Sequence, residues 1–350
     1  MKRTSLALGF IFAALSAVTA CNPNGRAASS FQVPGGPYLG QKTPGDTAEL
    51  FAPRLVSTGM TERRLAVSPD GKDILFEQAV GRIVTIMETR LVDGRWTEPA
   101  VPAFAADPDF FYFEPAFTPD GRTVLFLCTR PRAGQTAKPG WGNQAIWAAD
   151  RLADSGWSAP YDLGAPVNSD AGEYYPSLTN DGTLYFTRSG VAGGDPKIMR
   201  ARRLGNGYAE PEALPDPING RGPTYNACIA PDESYLVVCR DEKASGGRPE
   251  GTRYLVFFRS ADDRWSEGVD PGPAVNLPGA EASAPSLTPD GRYLFFGSNA
   301  SPGLNVRPPA VLTSRRLFEF FSGPRNGGSD IYWIDASVIG RARDKAVKPQ

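Results

Sequence analysis

The chain has 350 residues, 41% of them hydrophobic, with 38 glycines, 33 prolines and a formal net charge of −1. That apolar fraction can fill a core, the many turn formers suit a loop-rich β fold, and the balanced charge creates no field that would gather nucleic acid or acidic lipid. Histidine is absent altogether, which excludes His-dependent triads, His-ligated zinc and imidazole acid–base catalysis.

At the N-terminus Lys2 and Arg3 precede an apolar stretch, Leu6 to Ala20, which closes on Val18-Thr-Ala-Cys21. It is shorter than the roughly 20 residues of a membrane span and ends on small residues, so residues 1–20 read as a targeting segment. An ordinary signal peptide and a short anchor are the alternatives. Val-Thr-Ala-Cys resembles the bacterial lipobox, and that resemblance implies lipidation of Cys21. Several acyl chains on one residue anchor stably, each buried methylene adding about 0.8 kcal/mol. Asn22 is not the aspartate that holds enterobacterial lipoproteins at the inner membrane, so the resemblance implies the periplasmic face of the outer membrane. Residues 21–46 lack periodicity and read as lipid anchor and flexible tether.

From Thr47 a short β-like piece, Ala48 to Ser57, stands alone. After it one unit recurs. In Phe113-Glu-Pro-Ala-Phe-Thr-Pro-Asp-Gly-Arg-Thr-Val-Leu-Phe-Leu127 an apolar run reaches Thr-Pro-Asp-Gly and a second β-rich run leaves it. Proline sets φ for the first corner of a type I turn, aspartate suits the second, and glycine can take the left-handed position that follows. Two apolar runs joined this way make a β-hairpin. The turn returns at Ser68–Gly71, Thr179–Gly182, Ala230–Glu233 and Thr288–Gly291. Its aspartates, Asp70, Asp120, Asp181, Asp232 and Asp290, are spaced by 50, 61, 51 and 58 residues. Such a period marks a propeller or a solenoid.

Each hairpin is followed by a third β run and a fourth. In the second unit these are Ala145-Ile-Trp-Ala148 and the stretch around Trp157, ending Pro166-Val-Asn168. Trp96, Trp157 and Trp265 recur at one place in the fourth run, with Tyr208 standing in, which suits packing between units. Four antiparallel strands in about 50 residues form a propeller blade. The fifth unit has its hairpin and a third run, Asp330 to Ile334, but no fourth. The orphan piece near Phe51-Ala-Pro53 has that character and is expected to complete the last blade, which removes an open sheet edge. The expectation is therefore an all-β, five-bladed propeller over residues 47–340, six blades being the alternative, with a frayed tail over 341–350.

The (Ser/Thr)-Pro-Asp-Gly turns followed by Leu-Phe-Phe-like strands, together with Asp330-Ile-Tyr-Trp333 and Ala145-Ile-Trp147, resemble the WD-like repeats of TolB-type β-propellers. The resemblance covers about Thr47 to Asp335. It implies the fold and says little of function; Glu233 and Asn180 depart from the pattern. Related propellers precede serine peptidase domains, but no Gly-x-Ser-x-Gly occurs here. TolB carries a further domain before its propeller, so its particular partners are not carried over.

Antiparallel order puts the Pro-Asp-Gly turns on one face and the long irregular connections on the other, and irregular loops carry function more often than uniform turns. On the loop face Arg130, Arg188 and Arg240 leave second strands, while Glu62, Glu114, Glu173 and Glu281 enter first strands. A ring of mixed charge at a channel mouth can hold a peptide, glycan or carboxylate ligand; salt bridges between neighbouring blades explain the same residues. Paired carboxylates hydrolyse glycosides on some five-bladed propellers, but no three-carboxylate signature is recognisable. Asn168, Ser169, Asp170 and Glu173 suit calcium or simply a turn. Cys128, Cys228 and Cys239 fall in apolar β runs; Cys228 and Cys239 flank one hairpin, so a disulfide or buried free thiols fit. Within the last insertion, Pro308 to Ser322 has helical spacing of Leu317, Phe320 and Phe321, to pack on the propeller or to dock a partner. The expected function is a non-enzymatic binding or scaffold lipoprotein of the bacterial envelope, without cofactor or metal, taking a protein or cell-wall ligand at its loop face. The alternative is a carboxylate-based glycoside hydrolase.

Overall fold

The computed structural model describes residues 34–153, 156–190, 194–243, 249–300 and 312–347. The lipobox reading of Cys21 and the targeting segment lie outside them.

The repeated turn forms as its composition dictates. In the second unit the Gly121 amide donates to the Thr118 carbonyl at 2.8 Å. Asp120 accepts from the Thr118 hydroxyl at 2.7 Å and from the Arg122 amide at 3.1 Å, and Gly121 adopts φ 69°. The two departures have physical reasons. Asn180 replaces a proline, and its amide, which proline lacks, donates to the Pro231 carbonyl of the next turn at 2.7 Å. Glu233 occupies the glycine place at φ 63°; its carboxylate accepts from the Tyr185 hydroxyl at 2.5 Å and pairs with Arg259 at 2.8 Å, contacts that offset the backbone strain.

Five antiparallel blades follow. The first comprises Thr61–Val67, Asp73–Val80, Ile83–Val92 and Arg95–Trp96. The second comprises Tyr112–Phe117, Thr123–Cys128, Ala145–Asp150 and Tyr161–Asp162. The third comprises Glu173–Leu178, Leu184–Arg188, Lys197–Ala201 and Glu212–Ala213. Blade four comprises Thr224–Ile229, Tyr235–Lys243 and Pro249–Phe258, with an outer edge reduced to single pairings of Val256 with Val269 and Arg259 with Trp265. Blade five comprises Ala282–Leu287, Tyr293–Ser298 and Asp330–Asp335, and its outer strand is Glu49–Leu50. Glu49 stands opposite Trp333 and Leu50 opposite Tyr332. The N-terminal strand thus closes the ring. Phe51 seals the closure, wholly buried between Phe295 and Trp333 with ring centroids 5.0 and 5.1 Å away.

A repeated asparagine clamps three of the blade-to-blade links. Asn168, Asn219 and Asn276 each accept from one backbone amide of a third strand and donate to the carbonyl of the same residue, which is Ile146, Ile198 or Tyr254. Ser57 does the same with Ile331, at 3.2 Å both ways. One side chain therefore satisfies a donor and an acceptor that an absent strand residue would otherwise leave open. The fourth-strand tryptophans sit between blades. The Trp157 indole donates to Glu88 of the first blade at 2.9 Å beneath the guanidinium of Arg151, which pairs with Asp73 at 2.7 Å.

Three expectations need correction. Residues 34–46 are not tether: Leu39 is buried, the Gly36 carbonyl accepts from the Trp96 indole at 2.7 Å, and the Gln41 side chain bridges Leu50 and Ala52. The tail does not fray at Arg341, because Ser337–Val347 is a helix that buries Val338, Ile339 and Ala342; Arg341, Arg343 and Asp344 on it are exposed. In the last insertion the helix runs Ser314–Phe321, capped by the Thr313 hydroxyl, and no residue of it is buried. Pro308, the expected start, lies outside the described residues. The three core cysteines are buried free thiols, and burial pushes Cys128 and Cys228 up to about 11.

Candidate functional site

Every innermost strand breaks its pairing register once, between Glu62 and Leu65, Phe113 and Ala116, Tyr174 and Ser177, Tyr225 and Cys228, and Ser283 and Ser286. Such bulges re-aim side chains. Counting back four residues from each turn gives Arg64, Glu114, Tyr175, Asn226 and Ala284, a ring around the central channel. Glu114, Tyr175, Asn226 and Ala284 are left-handed, with φ of 58°, 58°, 52° and 51°. Strain of this kind, repeated around one axis in residues other than glycine, gathers at sites that use it.

Tyr175 and Arg64 close the channel at this level. The Tyr175 hydroxyl crosses from blade three to donate to the Pro285 carbonyl of blade five at 2.6 Å. The Arg64 guanidinium lies over the Tyr175 ring at 4.0 Å and donates to the Pro176 carbonyl at 2.9 Å. Glu114 accepts from the Tyr175 amide at 2.7 Å. Behind them Glu77, 3.9 Å from Arg63, is pushed up to about 8 by burial, against the pull of Arg63. Burial likewise raises Glu114 to about 7, against Arg64. On the turn side of this plug a funnel of about 350 Å3 opens, with Arg64 at its floor. Its walls are the small residues two places before each turn, Ala66, Ala116, Ser177, Cys228 and Ser286.

A pH dependence follows. The folded pKa values of Glu77 and Glu114 lie above the ordinary 4.5, so the folded state holds protons that the unfolded chain has released. Stability is full below that value, declines as pH rises towards about 7 and about 8, and levels off above. Melting temperatures of the wild type should fall over this interval, and Glu77→Gln should flatten the upper part of the fall. An unchanged slope in that variant would remove Glu77 as its cause.

The loop-face residues singled out in the sequence occupy three kinds of place. Glu62 and Glu173 are wholly buried; Glu62 accepts from the Thr58 hydroxyl at 2.6 Å and from Gln78, and burial raises its pKa. Arg188 pairs with Glu173 at 2.8 Å and donates to the Val167 carbonyl, while Arg240 donates to Thr224 and to the Ile218 carbonyl. These four brace strand ends against the preceding link. Arg130, paired with Asp107 at 3.1 Å and bonded to the Tyr112 hydroxyl, is partly exposed, and Glu281 is exposed before its strand begins. Glu114 is the exception, lying in the channel ring. Asn168 is committed to the link described above and Ser169 to Glu173; among the described residues no acidic or cysteine cluster could hold a metal ion. Sequence reasoning passed over Arg64, Tyr175 and the funnel, although their constant distance from the turn was available as a signal.

The fold is a five-bladed β-propeller with a plugged channel. No protein-family model and no curated protein matches the sequence significantly. Solved structures similar in fold include TolB from Acinetobacter baumannii, at 20% identity and a TM-score of 0.42, covering 67% of this chain and 48% of that one. The chain thus spans about half the length of that TolB. Others are a GH62 hydrolase in complex with xylotriose, at 10% identity, TM-score 0.43, and 83% and 97% coverage, and Kuenenia stuttgartiensis hydrazine synthase, at 15%, 0.40, and 76% and 70%. These likenesses concern the fold alone.

Proposed function

We propose that this chain is a non-enzymatic binding propeller of the bacterial envelope, tethered through Cys21, whose loop face docks a protein with an apolar groove. One observation carries the reading. The helix Ser314–Phe321 presents Leu317, Phe318, Phe320 and Phe321 to solvent, each more than half exposed. Its end is nevertheless fixed, since the Asn326 amide donates to both the Phe321 and Gly59 carbonyls, at 2.8 and 2.9 Å. A rigidly held, amphipathic helix with large exposed side chains at helical spacing suits helix-in-groove recognition, in which few aromatic anchors supply most of the binding energy. Exposed Met60, Val80, Ile83 and Trp141 stand on the connections of the same face, and Arg130 and Glu281 add polar contacts. Glycoside hydrolysis is the weaker reading, because Glu77, the carboxyl pushed up to about 8, is buried 3.9 Å from Arg63 rather than open to a cleft.

Phe318→Ser and Phe321→Ser should each weaken capture of a crosslinked envelope partner at least tenfold while the melting temperature moves by no more than a degree or two, since the rings touch little of the fold. Capture that survives the double variant would remove the helix from the interface. Loss of capture together with a large drop in melting temperature would instead assign the helix to the scaffold.

A further inference from the structure

We propose that the turn-face funnel is a binding site for a single carboxylate group, recognised by the Arg64 guanidinium at its floor. Arg64 is 3% exposed, and its Nε and Nη1 atoms have no hydrogen-bond partner; its one hydrogen bond goes to the Pro176 carbonyl. A buried guanidinium with two idle nitrogens is unfavourable unless something else completes it. Stacking on Tyr175 holds its plane, and two idle guanidinium nitrogens match a planar, charge-assisted acceptor.

The surroundings narrow the ligand. Arg64 is the one cationic residue lining the funnel, and the other walls are small or apolar except for Asn180 and Asp290, which belong to the turns. The turns around the mouth carry Asp70, Asp120, Asp181, Asp232 and Asp290. A monoanion is matched by one guanidinium, whereas a phosphate dianion would bring a second negative charge past an acidic rim to a floor with no second cation. The nearby carboxylates do not cancel Arg64, because burial keeps Glu77 and Glu114 partly protonated near neutrality. The ligand class is therefore a carboxylate on a neutral or basic stem narrow enough to pass between the turn prolines, such as the terminus of an extended chain. The site lies on the opposite face from the helix Ser314–Phe321 and does not depend on its role.

The test uses the full chain labelled with 15N-arginine, with the Arg64 Nε–H resonance identified by its absence in Arg64→Lys. N-acetylglycine should shift that resonance saturably, N-acetylglycinamide should leave it in place, and inorganic phosphate should act at least tenfold more weakly. In Arg64→Lys, thermal stabilisation by N-acetylglycine should weaken at least tenfold. No saturable shift, an equal response to the amide, or full stabilisation retained in Arg64→Lys would each overturn the proposal. Phosphate acting as strongly as N-acetylglycine would overturn the carboxylate assignment. The first readout is made on the wild type, so it stands even if the variant folds poorly.

Discussion

Removing residues 47–58 is expected to unfold the propeller as a whole rather than to loosen one blade. The strand Glu49–Leu50 is the outer edge of blade five, and Phe51 and Val56 behind it are wholly buried in the core shared by blades five and one. Ser57 also supplies the donor and the acceptor that clamp Ile331. Loss of the segment opens the ring at the seam, exposes a sheet edge, and uncovers Trp333 and Phe295 together. The single substitution Phe51→Ala isolates the packing part and should cost about 3–5 kcal/mol, lowering the melting temperature by roughly 10 °C. A deletion variant that melts within a few degrees of wild type, as one cooperative transition, would show that the seam does not hold the ring.

Arg200→Met is the second substitution with a large expected effect. Arg200 is nearly buried between blades three and four. It donates to both carboxylate oxygens of Asp263 at 2.9 Å, pairs with Glu212 at 2.7 Å, and lies 3.9 Å from Glu233. Removing it leaves Glu233, which already carries backbone strain, with Arg259 as its ion partner. The expected loss is about 3 kcal/mol, at the lower end for a broken buried pair because Glu212 and Asp263 stay partly exposed. The loss has a pH signature. Hydrogen bonds from Arg200, then from Arg259, hold Asp263 well below its ordinary 3.8. The stability this provides is present above that value and disappears as pH falls through the folded pKa. Wild type and variant should therefore converge in acid. A difference that stays constant down to pH 2 would assign the loss to packing instead.

The turns, the blade count and the closing strand were legible because they are local. Pro-Asp-Gly fixes a turn through φ preferences alone, and its spacing counts the blades. Features that depend on register across strands were not. The bulge at Glu114 or Tyr175 appears only when two residues oppose one on the partner strand, and no side-chain pattern within Tyr112–Phe117 announces it. Glu62 and Glu114 looked equivalent as glutamates near the start of a first strand. Measured from the turn they are two positions apart, which separates a buried brace from a channel residue. The tail was misread for a different reason: charges dominate Arg341 onwards, while the three buried residues that dock the helix, Val338, Ile339 and Ala342, are few and partly precede it.

The bulge ring has a consequence for how such a molecule acquires chemistry. Its five backbone positions are set by strand pairing and by the turn four residues on, not by the side chains they hold, which here are as unlike as arginine, glutamate, tyrosine, asparagine and alanine. They behave as interchangeable sockets facing one axis. Changing a ligand preference then needs a single replacement at one socket, with no insertion and no rebuilt loop, and duplication of a blade delivers the next socket already aimed. Asparagine, which tolerates the left-handed backbone better than most residues, already fills the fourth, and the alanine of the fifth leaves that socket the emptiest of the set.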